Sequence, residues 1–329
     1  MQFTHTLLTW YDENRRTLPW RGERDPYRIW ISEIILQQTR VRQGWDYYLR
    51  FIEAFPTLAD LAAASEERVL RLWQGLGYYT RARNLYAAAR QIATLHGGVF
   101  PDRYDDIRAL KGVGDYTAAA IASIAFGLSH PAVDGNVLRV VSRIFGIRDD
   151  IAAPATRRQI TEHCAQLIDP ARPGNFNQAM MELGAILCLP QKPKCDDCPF
   201  QRECFAFTHG LTDTLPVKNN RIIKRDRFFH FSFYTYNNST VLEKRTGRDI
   251  WKSLYQFPLQ ETESDCTLEN GHPVAELREV LTHQVIHAKF YLKEMVPEIQ
   301  DNQVLVPLEQ LDQYPKPKII VQFLSKHLL

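Results

Sequence analysis

Four cysteines lie close together in the stretch CLPQKPKCDDCPFQREC, with the spacing C-x6-C-x2-C-x5-C: Cys188, Cys195, Cys198 and Cys204. Such a group can form disulfides, bind a zinc ion or hold an iron–sulfur cluster. Structural zinc sites usually consist of two separated C-x2-4-C pairs, and here only the middle pair has that spacing. The spacing therefore favours a [4Fe–4S] cluster, with zinc as the alternative.

A second group of residues lies in LKGVGDYTAAAIASIAFG, residues 110–127. Gly112, Val113 and Gly114 predict a tight turn between a short helix that ends near Leu110 and a longer helix that begins near Asp115. Glycines leave the backbone N–H groups bare, and a helix N-terminus attracts anions. Such a hairpin can therefore bind a DNA phosphate without reading the base sequence. The alternative is an ordinary helical hairpin with a glycine turn.

Two carboxylates have unusual sequence surroundings. Glu33 stands between Ile31 and Ile34 in PYRIWISEIILQQT, and Asp134 precedes a predicted helix in PAVDGNVLRVVSR. Taken alone, the glutamate could lie at the polar edge of its helix, and the aspartate could serve as a helix N-cap. Together they are the pair of carboxylates needed to cleave a glycosidic bond through an oxocarbenium-like state.

In this order, the motifs resemble the endonuclease III superfamily of DNA glycosylases. Five segments are similar to its adenine DNA glycosylases: LPWR (18–21), SEIILQQT (32–39), GLGYYTRARNL (75–85), VDGNV (133–137) and FNQAMMELGAILC (176–188). The resemblance covers residues 1 to about 218. It implies a helix-hairpin-helix fold, a [4Fe–4S] cluster on the four cysteines, and removal of adenine mispaired with 8-oxoguanine or guanine in double-stranded DNA during base excision repair.

The resemblance also implies roles for the carboxylates. After the adenine has been flipped out of the duplex, Glu33 would protonate a ring nitrogen of the base as a general acid. Asp134 would stabilise the positive sugar, electrostatically or by transient covalent attachment. Tyr116 and Asn136 would orient Asp134 and the sugar.

Further residues match positions that contact DNA in the family. Gln38 and Tyr78 would wedge into the base stack, while the hairpin at Gly112 to Gly114 grips the phosphate backbone. The positions that line the adenine pocket correspond to Arg16, Trp20 and Gln178. For Trp20, a role as a core aromatic residue is the alternative.

Tyr116 separates this chain from glycosylases that also act as lyases. Those relatives carry a lysine two residues after the second hairpin glycine, and its amine forms a Schiff base with the sugar. A phenol cannot form that imine, so a monofunctional enzyme is expected. The alternatives are a glycosylase of the same fold that acts on another mispair, such as one containing thymine, and a DNA-binding module without catalytic activity.

The elements that carry these residues form two predicted regions. Residues 1–206 read as a mainly helical catalytic domain, with the hairpin near 107–127 and the cluster loop at 188–204. Residues 207–226 lack an apolar period and are predicted to be a linker. From there the period changes to two in RFFHFSFYTY, which indicates a strand and a smaller α+β domain over 227–329.

The second region resembles the Nudix-like domain that recognises 8-oxoguanine in this family. It lacks the Gly-x5-Glu-x7-Arg-Glu box of Nudix hydrolases, so we do not expect pyrophosphate hydrolysis. Where the family carries Phe-Ser-His, this chain has Val285-Ile286-His287. His287 is therefore the expected lesion contact, and the serine hydroxyl is missing. Either backbone groups and neighbouring residues compensate for that hydroxyl, or selectivity for 8-oxoguanine is reduced.

Composition limits the remaining classes. The 329 residues suffice for two domains, and 45% of them are hydrophobic, as in ordinary globular proteins. We expect no membrane span, no signal peptide, a monomer, and a cytosolic protein associated with the bacterial nucleoid, where disulfides are rare. The formal net charge of +2 does not decide whether the chain binds DNA, because a total does not show where the basic residues lie.

Overall fold

The structure is a computed structural model that describes residues 2–219, 223–268, 271–295 and 298–327. Its contacts divide the chain into two compact units. The first comprises residues 1–62 and 87–220, and the second comprises residues 63–86 and 221–329. Residues 63–86, which belong to the predicted catalytic region, thus group with the C-terminal residues. The linker bounds 207–226 stay a prediction, and residues 220–222 of that stretch lie outside the described residues.

Helices dominate the first unit and strands the second. The α-helices are α1 (Gln2–Asn14), α2 (Pro26–Leu36), α3 (Val41–Ala54), α4 (Leu58–Ala63), α5 (Glu66–Leu72), α6 (Thr80–Leu95), α7 (Tyr104–Arg108), α8 (Asp115–Phe126), α9 (Gly135–Phe145), α10 (Pro154–Leu167), α11 (Pro173–Ile186), α12 (Phe205–Thr208) and α13 (Lys318–His327). The strands are β1 (Arg225–Tyr234), β2 (Ser239–Lys244), β3 (Tyr255–Gln256), β4 (Leu259–Thr262), β5 (Ala275–Val280), β6 (Gln284–Lys293) and β7 (Gln303–Pro307). The predicted fold class, a helical region followed by a smaller α+β region, is confirmed.

The three helices that carry the motif residues of the first unit begin at recognisable signals. At α2, Asp25 caps the helix by accepting from the Tyr27 N–H, and Pro26 occupies the first helical position. The hairpin between α7 and α8 turns at Gly112, whose φ of 76° lies in the left-handed region. At α9, Asp134 is the N-cap and its side chain accepts from the Val137 N–H. None of the described helices combines the length and the apolar character that crossing a bilayer requires.

In the second unit, aromatic residues on alternating positions build the core. One sheet has the strand order β4-β1-β6-β5, with β1 and β6 parallel, and a second sheet has the order β3-β2-β7. Phe229, Phe231 and Phe233 of β1 are buried, as their alternation predicts. Against this core, the rings of Phe290 and Phe323 stack at 4.2 Å between centroids, which joins α13 to the sheet.

Within the second unit, residues 63–86 contact the C-terminal residues through polar bonds. The Lys244 ammonium lies 2.6 Å from the Glu67 carboxylate, and the Lys316 N–H donates to the Gln74 side chain at 2.8 Å. In turn, the Tyr79 hydroxyl donates to the Lys316 carbonyl at 3.1 Å. These bonds hold the turn that carries Tyr78 on this unit.

Candidate active site

A cavity of about 900 Å³ in the first unit brings together most of the residues predicted from the sequence. Its lining includes residues from α2, α8, the start of α9 and α11, although these elements are far apart in the chain. The predicted residues that line it are Arg16, Trp20, Glu33, Gln38, Gly114, Tyr116, Asp134, Asn136 and Gln178. Gly112 and Val113 are not part of the lining, and Tyr78 and His287 belong to the second unit.

Glu33 is a buried carboxyl group that is readily protonated. The residue is 9% exposed on α2, and the Tyr116 hydroxyl donates to its Oε2 at 2.7 Å. Burial raises the pKa of Glu33 to about 7, and the nearby Asp134 charge acts in the same direction. The Tyr116 bond and the Arg21 charge oppose this shift without cancelling it. The side chain is thus poised to give up a proton near neutral pH.

Asp134 is partly buried, and its carboxylate accepts hydrogen bonds from two N–H donors. Its Oδ1 accepts from the Val137 N–H at 2.8 Å, and its Oδ2 accepts from the Asn136 side chain at 2.7 Å. Burial raises the pKa of Asp134, and the bonds from Val137 and Asn136 oppose this shift without cancelling it, so the net pKa lies above the ordinary value. The N-cap role that the sequence allowed is therefore real, and it leaves the carboxylate on the cavity wall.

Tyr116 and Asn136 contact different carboxylates. Asn136 bonds Asp134, as the resemblance implies, whereas the hydroxyl of Tyr116 contacts Glu33 and the Met181 Sδ. Burial, followed by the Glu33 charge, raises the pKa of Tyr116 well above its usual range. The phenol therefore stays protonated at neutral pH, and its proton is available for a hydrogen bond.

Arg21 and Glu182 join the predicted pocket residues into one network. Glu182 accepts from Arg16 at 2.7 and 2.9 Å and from Arg21 at 2.8 Å. Burial raises the pKa of Glu182, but the bonds and charges of the two arginines outweigh it, so the net pKa lies below the ordinary value. Arg21 also donates to the Gln178 Oε1 at 2.6 Å, which turns the Gln178 amide nitrogen into the available donor.

The sequence prediction missed Arg21 and Glu182. A signal was present for Glu182, because it follows Gln178 by four residues and so shares its face of α11. Trp20 is partly buried, and its role stays a prediction. It lines the cavity, and its ring also packs edge-on against Tyr48 at 5.3 Å between centroids.

Comparison with known proteins identifies the family. Residues 31–169 match the HhH-GPD family, described as "HhH-GPD superfamily base excision DNA repair protein", and residues 231–326 match a NUDIX domain. The adenine DNA glycosylase of Buchnera aphidicola (subspecies Acyrthosiphon pisum) is 37% identical over 257 residues, which cover 78% of this chain and 73% of that relative. This chain belongs to the adenine DNA glycosylase family. It is thus a base excision repair enzyme with a helix-hairpin-helix domain and a Nudix-like domain.

Other relatives of this glycosylase extend beyond the matched region. The adenine DNA glycosylase of Mus musculus is 47% identical over 226 residues, but the match spans only 44% of its length. Among solved structures, a thermostable thymine-DNA glycosylase is 31% identical with a TM-score of 0.58, covering 63% of this chain and 96% of that one. An endonuclease III–DNA complex is 24% identical with a TM-score of 0.55 over 64% and 97% of the two chains. The latter likeness shows the fold alone.

Both residues predicted to wedge into DNA have a left-handed backbone. Gln38 has a φ of 55° and Tyr78 a φ of 51°, although neither is a glycine. Such conformations are uncommon for residues other than glycine, and strained ones cluster at functional sites. Tyr78 is also 46% exposed, so its ring is available to a partner. By contrast, the side chain of Val113 in the glycosylase hairpin is buried, which leaves only its backbone for contact.

In the second unit, a hydroxyl group that the sequence did not predict lies beside Tyr78. The Thr282 Oγ1 lies 2.5 Å from the Tyr78 hydroxyl. Val285 and Ile286 are buried in β6, so a serine hydroxyl at 286 would point into the core. His287 is partly exposed, bonds Asp226 at 2.7 Å through Nε2 and stacks on Phe228 at 5.1 Å between centroids.

The four cysteines of the motif line a single cavity and form no disulfide. The loop is held by Arg143, whose side chain contacts the Cys188 Sγ at 3.4 Å and the Leu189 carbonyl at 2.6 Å. Sulfur atoms also receive backbone N–H groups, from Phe200 at Cys198 and from Ala206 and Phe207 at Cys204.

This donor set fits a cluster with one thiolate on each iron and N–H groups on the sulfurs. Within the four described stretches of the chain, no group of three or more His, Cys, Asp or Glu residues is arranged to hold a single metal ion.

Proposed function

We propose that this enzyme is a monofunctional adenine DNA glycosylase that removes adenine mispaired with 8-oxoguanine or guanine. The observation that carries the proposal is the contrast between two carboxyl groups at one cavity. Glu33 has a single hydroxyl donor and a pKa near 7, whereas Asp134 receives two strong N–H donors. Both pKa values are raised by burial, but the N–H donors at Asp134 oppose that shift and favour its ionised form, so we assign Glu33 as the acid and Asp134 as the anion.

In the proposed reaction, a flipped adenine enters the cavity and Glu33 transfers its proton to a ring nitrogen of the base. The protonated base is a better leaving group, so the glycosidic bond breaks through an oxocarbenium-like state. The ionised Asp134 faces the positive sugar and stabilises it. Asn136 holds Asp134 in place, and water completes the hydrolysis.

The network of Arg21, Gln178 and Glu182 at the cavity supports recognition of adenine. Because Arg21 occupies the Gln178 oxygen, the Gln178 amide nitrogen presents a donor suited to an acceptor nitrogen of the base. Arg16 and Arg21 both bond the buried Glu182 carboxylate, and these several bonds restrict the movement of the residues around Gln178. Trp20 supplies an aromatic surface for the flipped base.

For the DNA itself, we propose that Gln38 and Tyr78 wedge into the stack and that the hairpin at Gly112 to Gly114 binds phosphate through backbone N–H groups. Thr282 and His287 would then contact the base opposite the adenine. Thr282 supplies a hydroxyl at the Tyr78 ring, in place of the serine that the family carries at the position of Ile286. The enzyme acts as a monomer in this proposal.

We further propose that Cys188, Cys195, Cys198 and Cys204 hold a [4Fe–4S] cluster. Their shared cavity and the N–H groups directed at the sulfurs support this assignment. The cluster would stabilise the loop that packs on α9, and no step of the reaction needs it.

A second candidate function is removal of thymine, which the likeness to a thymine-DNA glycosylase favours. Single-turnover base release on duplexes containing A:8-oxoG, A:G and T:G separates the two. We expect release of adenine from the first two and no release of thymine. Thymine release faster than adenine release would replace the proposal with the alternative.

Glu33→Gln tests the assigned acid directly. The amide keeps the size of the side chain but has no carboxyl proton, so adenine release should fall by about 10²- to 10⁴-fold while duplex binding persists. Glu53→Gln is the matched control, because Glu53 is an exposed glutamate on α3. Adenine release by Glu33→Gln within tenfold of that by Glu53→Gln would remove Glu33 from this role.

A further inference from the structure

Tyr116 has one hydroxyl proton and two acceptors within reach. Its oxygen lies 2.7 Å from the Glu33 Oε2 and 3.1 Å from the Met181 Sδ. A hydroxyl donates one hydrogen bond at a time, so the two contacts cannot both be donor bonds in the same protonation state. Which acceptor receives the Tyr116 proton depends on whether Glu33 is ionised or protonated.

When Glu33 is ionised, its carboxylate is the stronger acceptor, because a charged acceptor outcompetes a neutral thioether. Tyr116 then donates to Glu33. When Glu33 carries a proton on Oε2, that proton needs an acceptor, and the Tyr116 oxygen is 2.7 Å away. The Tyr116 proton must then turn elsewhere, and the Met181 sulfur lies where it can accept.

We propose that Met181 is a positioning residue that accepts the Tyr116 hydroxyl proton while Glu33 is protonated, and so holds Glu33 in its acid form until the base arrives. This inference rests on the proposed role of Glu33 as the general acid. As Glu33 gives its proton to the ring nitrogen of adenine, the Tyr116 hydroxyl rotates from Met181 to the new carboxylate. The same hydroxyl thereby supports the acid before the transfer and its conjugate base afterwards.

The other groups around Glu33 cannot replace Met181 in this role. Asp134, at the start of α9, raises the pKa of Glu33 through its charge, and Arg21 lowers it. Neither of them is an acceptor for the Tyr116 proton among the described contacts. Met181 comes from α11, lines the same cavity and is partly exposed to it.

Met180, the residue before Met181 in the sequence, offers a matched control. Met180 is buried in the helical core and does not line the cavity. Met181→Leu and Met180→Leu make the same substitution at adjacent positions. Each removes one thioether sulfur with little change in side-chain volume. The titration of the Glu33 carboxyl carbon is followed by 13C NMR in the DNA-free holoprotein, with Glu33→Gln to assign the signal. Adenine release is recorded on the same samples against pH.

We expect Met181→Leu to lower the Glu33 pKa by about half to one unit, which is the size of one neutral hydrogen bond. Met180→Leu should leave it unchanged. In a Tyr116→Phe background there is no proton to accept, so Met181→Leu should have no further effect. Met181→Gln restores an acceptor through its amide oxygen, and the pKa should return towards that of the wild type.

The proposal would be overturned by equal pKa values in Met181→Leu and Met180→Leu, or by an undiminished effect of Met181→Leu in the Tyr116→Phe background. Equal lowering by Met181→Leu and Met181→Gln would likewise exclude acceptance as the cause. The NMR titration does not need catalysis. Absence of adenine release from wild type with the expected NMR shifts would therefore overturn the proposed function and leave the hydrogen-bond exchange standing.

Discussion

Gly184 on α11 packs directly against the backbone of Asn136 on α9. A Cβ on Gly184 would lie 2.6 Å from the Asn136 Cβ and 3.2 Å from its Cα. The Gly184 carbonyl also accepts from the Arg139 guanidinium at 2.8 Å, and the same group donates to the Asn136 Oδ1 at 2.9 Å. The amide of Asn136 is thus oriented so that its nitrogen donates to Asp134.

Gly184→Ala should therefore displace Asn136 and lower adenine release. The added methyl group meets backbone atoms of α9 rather than the end of a side chain, so the helices must shift. A misplacement of this kind can lower the rate by about 10²-fold. The control is Gly44→Ala, where the nearest atom is the Leu36 Cδ2 at 3.0 Å, the flexible end of a side chain. Equal activities of the two variants would contradict this account.

The raised pKa of Glu33 predicts how the rate depends on pH. The acid must be protonated to act, and its pKa in the free protein is about 7. When the enzyme concentration is below saturation, the rate constant of adenine release reports the ionisation of the DNA-free enzyme. This rate constant should fall as pH rises above 7, and the fall should approach tenfold for each pH unit. Adenine release is measured from pH 5 to 9 at constant ionic strength. A rate that stays constant from pH 6 to 9 would contradict Glu33 as the acid.

The same pKa predicts a pH-dependent effect on stability. A folded pKa of about 7, against an ordinary 4.5, means that ionisation of Glu33 favours the unfolded chain as pH rises from 4.5 to 7. Above pH 7 the destabilisation is complete, and at 1.36 kcal/mol per pKa unit it amounts to about 3 kcal/mol. Glu33→Gln, which cannot ionise, should thus raise Tm relative to wild type more at pH 8 than at pH 5. A gain that is larger at pH 5 would show the opposite sign.

Asp134→Asn separates the charge of this residue from its structural role. Asparagine caps helices about as well as aspartate, so α9 should still begin at the same place. The neutral amide stabilises a developing cation poorly, and adenine release should fall by about 10²- to 10³-fold. Asp25→Asn, the same change at the N-cap of α2, serves as the control. Unfolding curves check that both variants keep their fold, and near wild-type release by Asp134→Asn would exclude the electrostatic role.

The pair formed by Tyr78 and Thr282 predicts which residues distinguish the opposite base. Thr282→Val keeps the shape of the side chain and removes the hydroxyl, so affinity for A:8-oxoG should fall by roughly fivefold, about 1 kcal/mol. Affinity for A:G should change less. The affinities of His287→Ala for both duplexes are measured in the same assay, because the hydrogen bond between His287 and Asp226 holds the His287 imidazole on the sheet that contains β1 and β6. Equal losses for both duplexes would mean that these residues position DNA without reading the base.

Iron analysis tests the cysteine site. We expect the purified protein to be brown, with broad absorption near ~400 nm and about four irons and four sulfides per chain. Cys198→Ser should lose iron and stability, whereas Cys266→Ser, outside the motif, should keep both. A colourless protein isolated without oxygen and containing one tightly bound zinc ion would replace the cluster by a zinc site.

The sequence by itself determined the features that depend on local chain geometry. The alternation of Phe229, Phe231 and Phe233 predicted a strand, because successive side chains of a strand point to opposite faces. Gly112 predicted the hairpin turn, because its φ of 76° suits a residue without a Cβ. Motif order was enough to indicate the family and to select Glu33 and Asp134.

Only the tertiary structure decided how those residues act. The roles that we propose for Glu33 and Asp134 depend on burial, which raises both pKa values, and on their donors: Tyr116 of α8 at Glu33, and Asn136 and Val137 of α9 at Asp134. The sequence did not predict the ion pair between Arg21 and Glu182, because the two residues lie 161 positions apart in the chain. The partner of Tyr78 is Thr282, which lies 204 positions away in the chain. Contacts between distant segments depend on how the whole core packs, whereas turns and strand alternation depend on a few neighbouring residues.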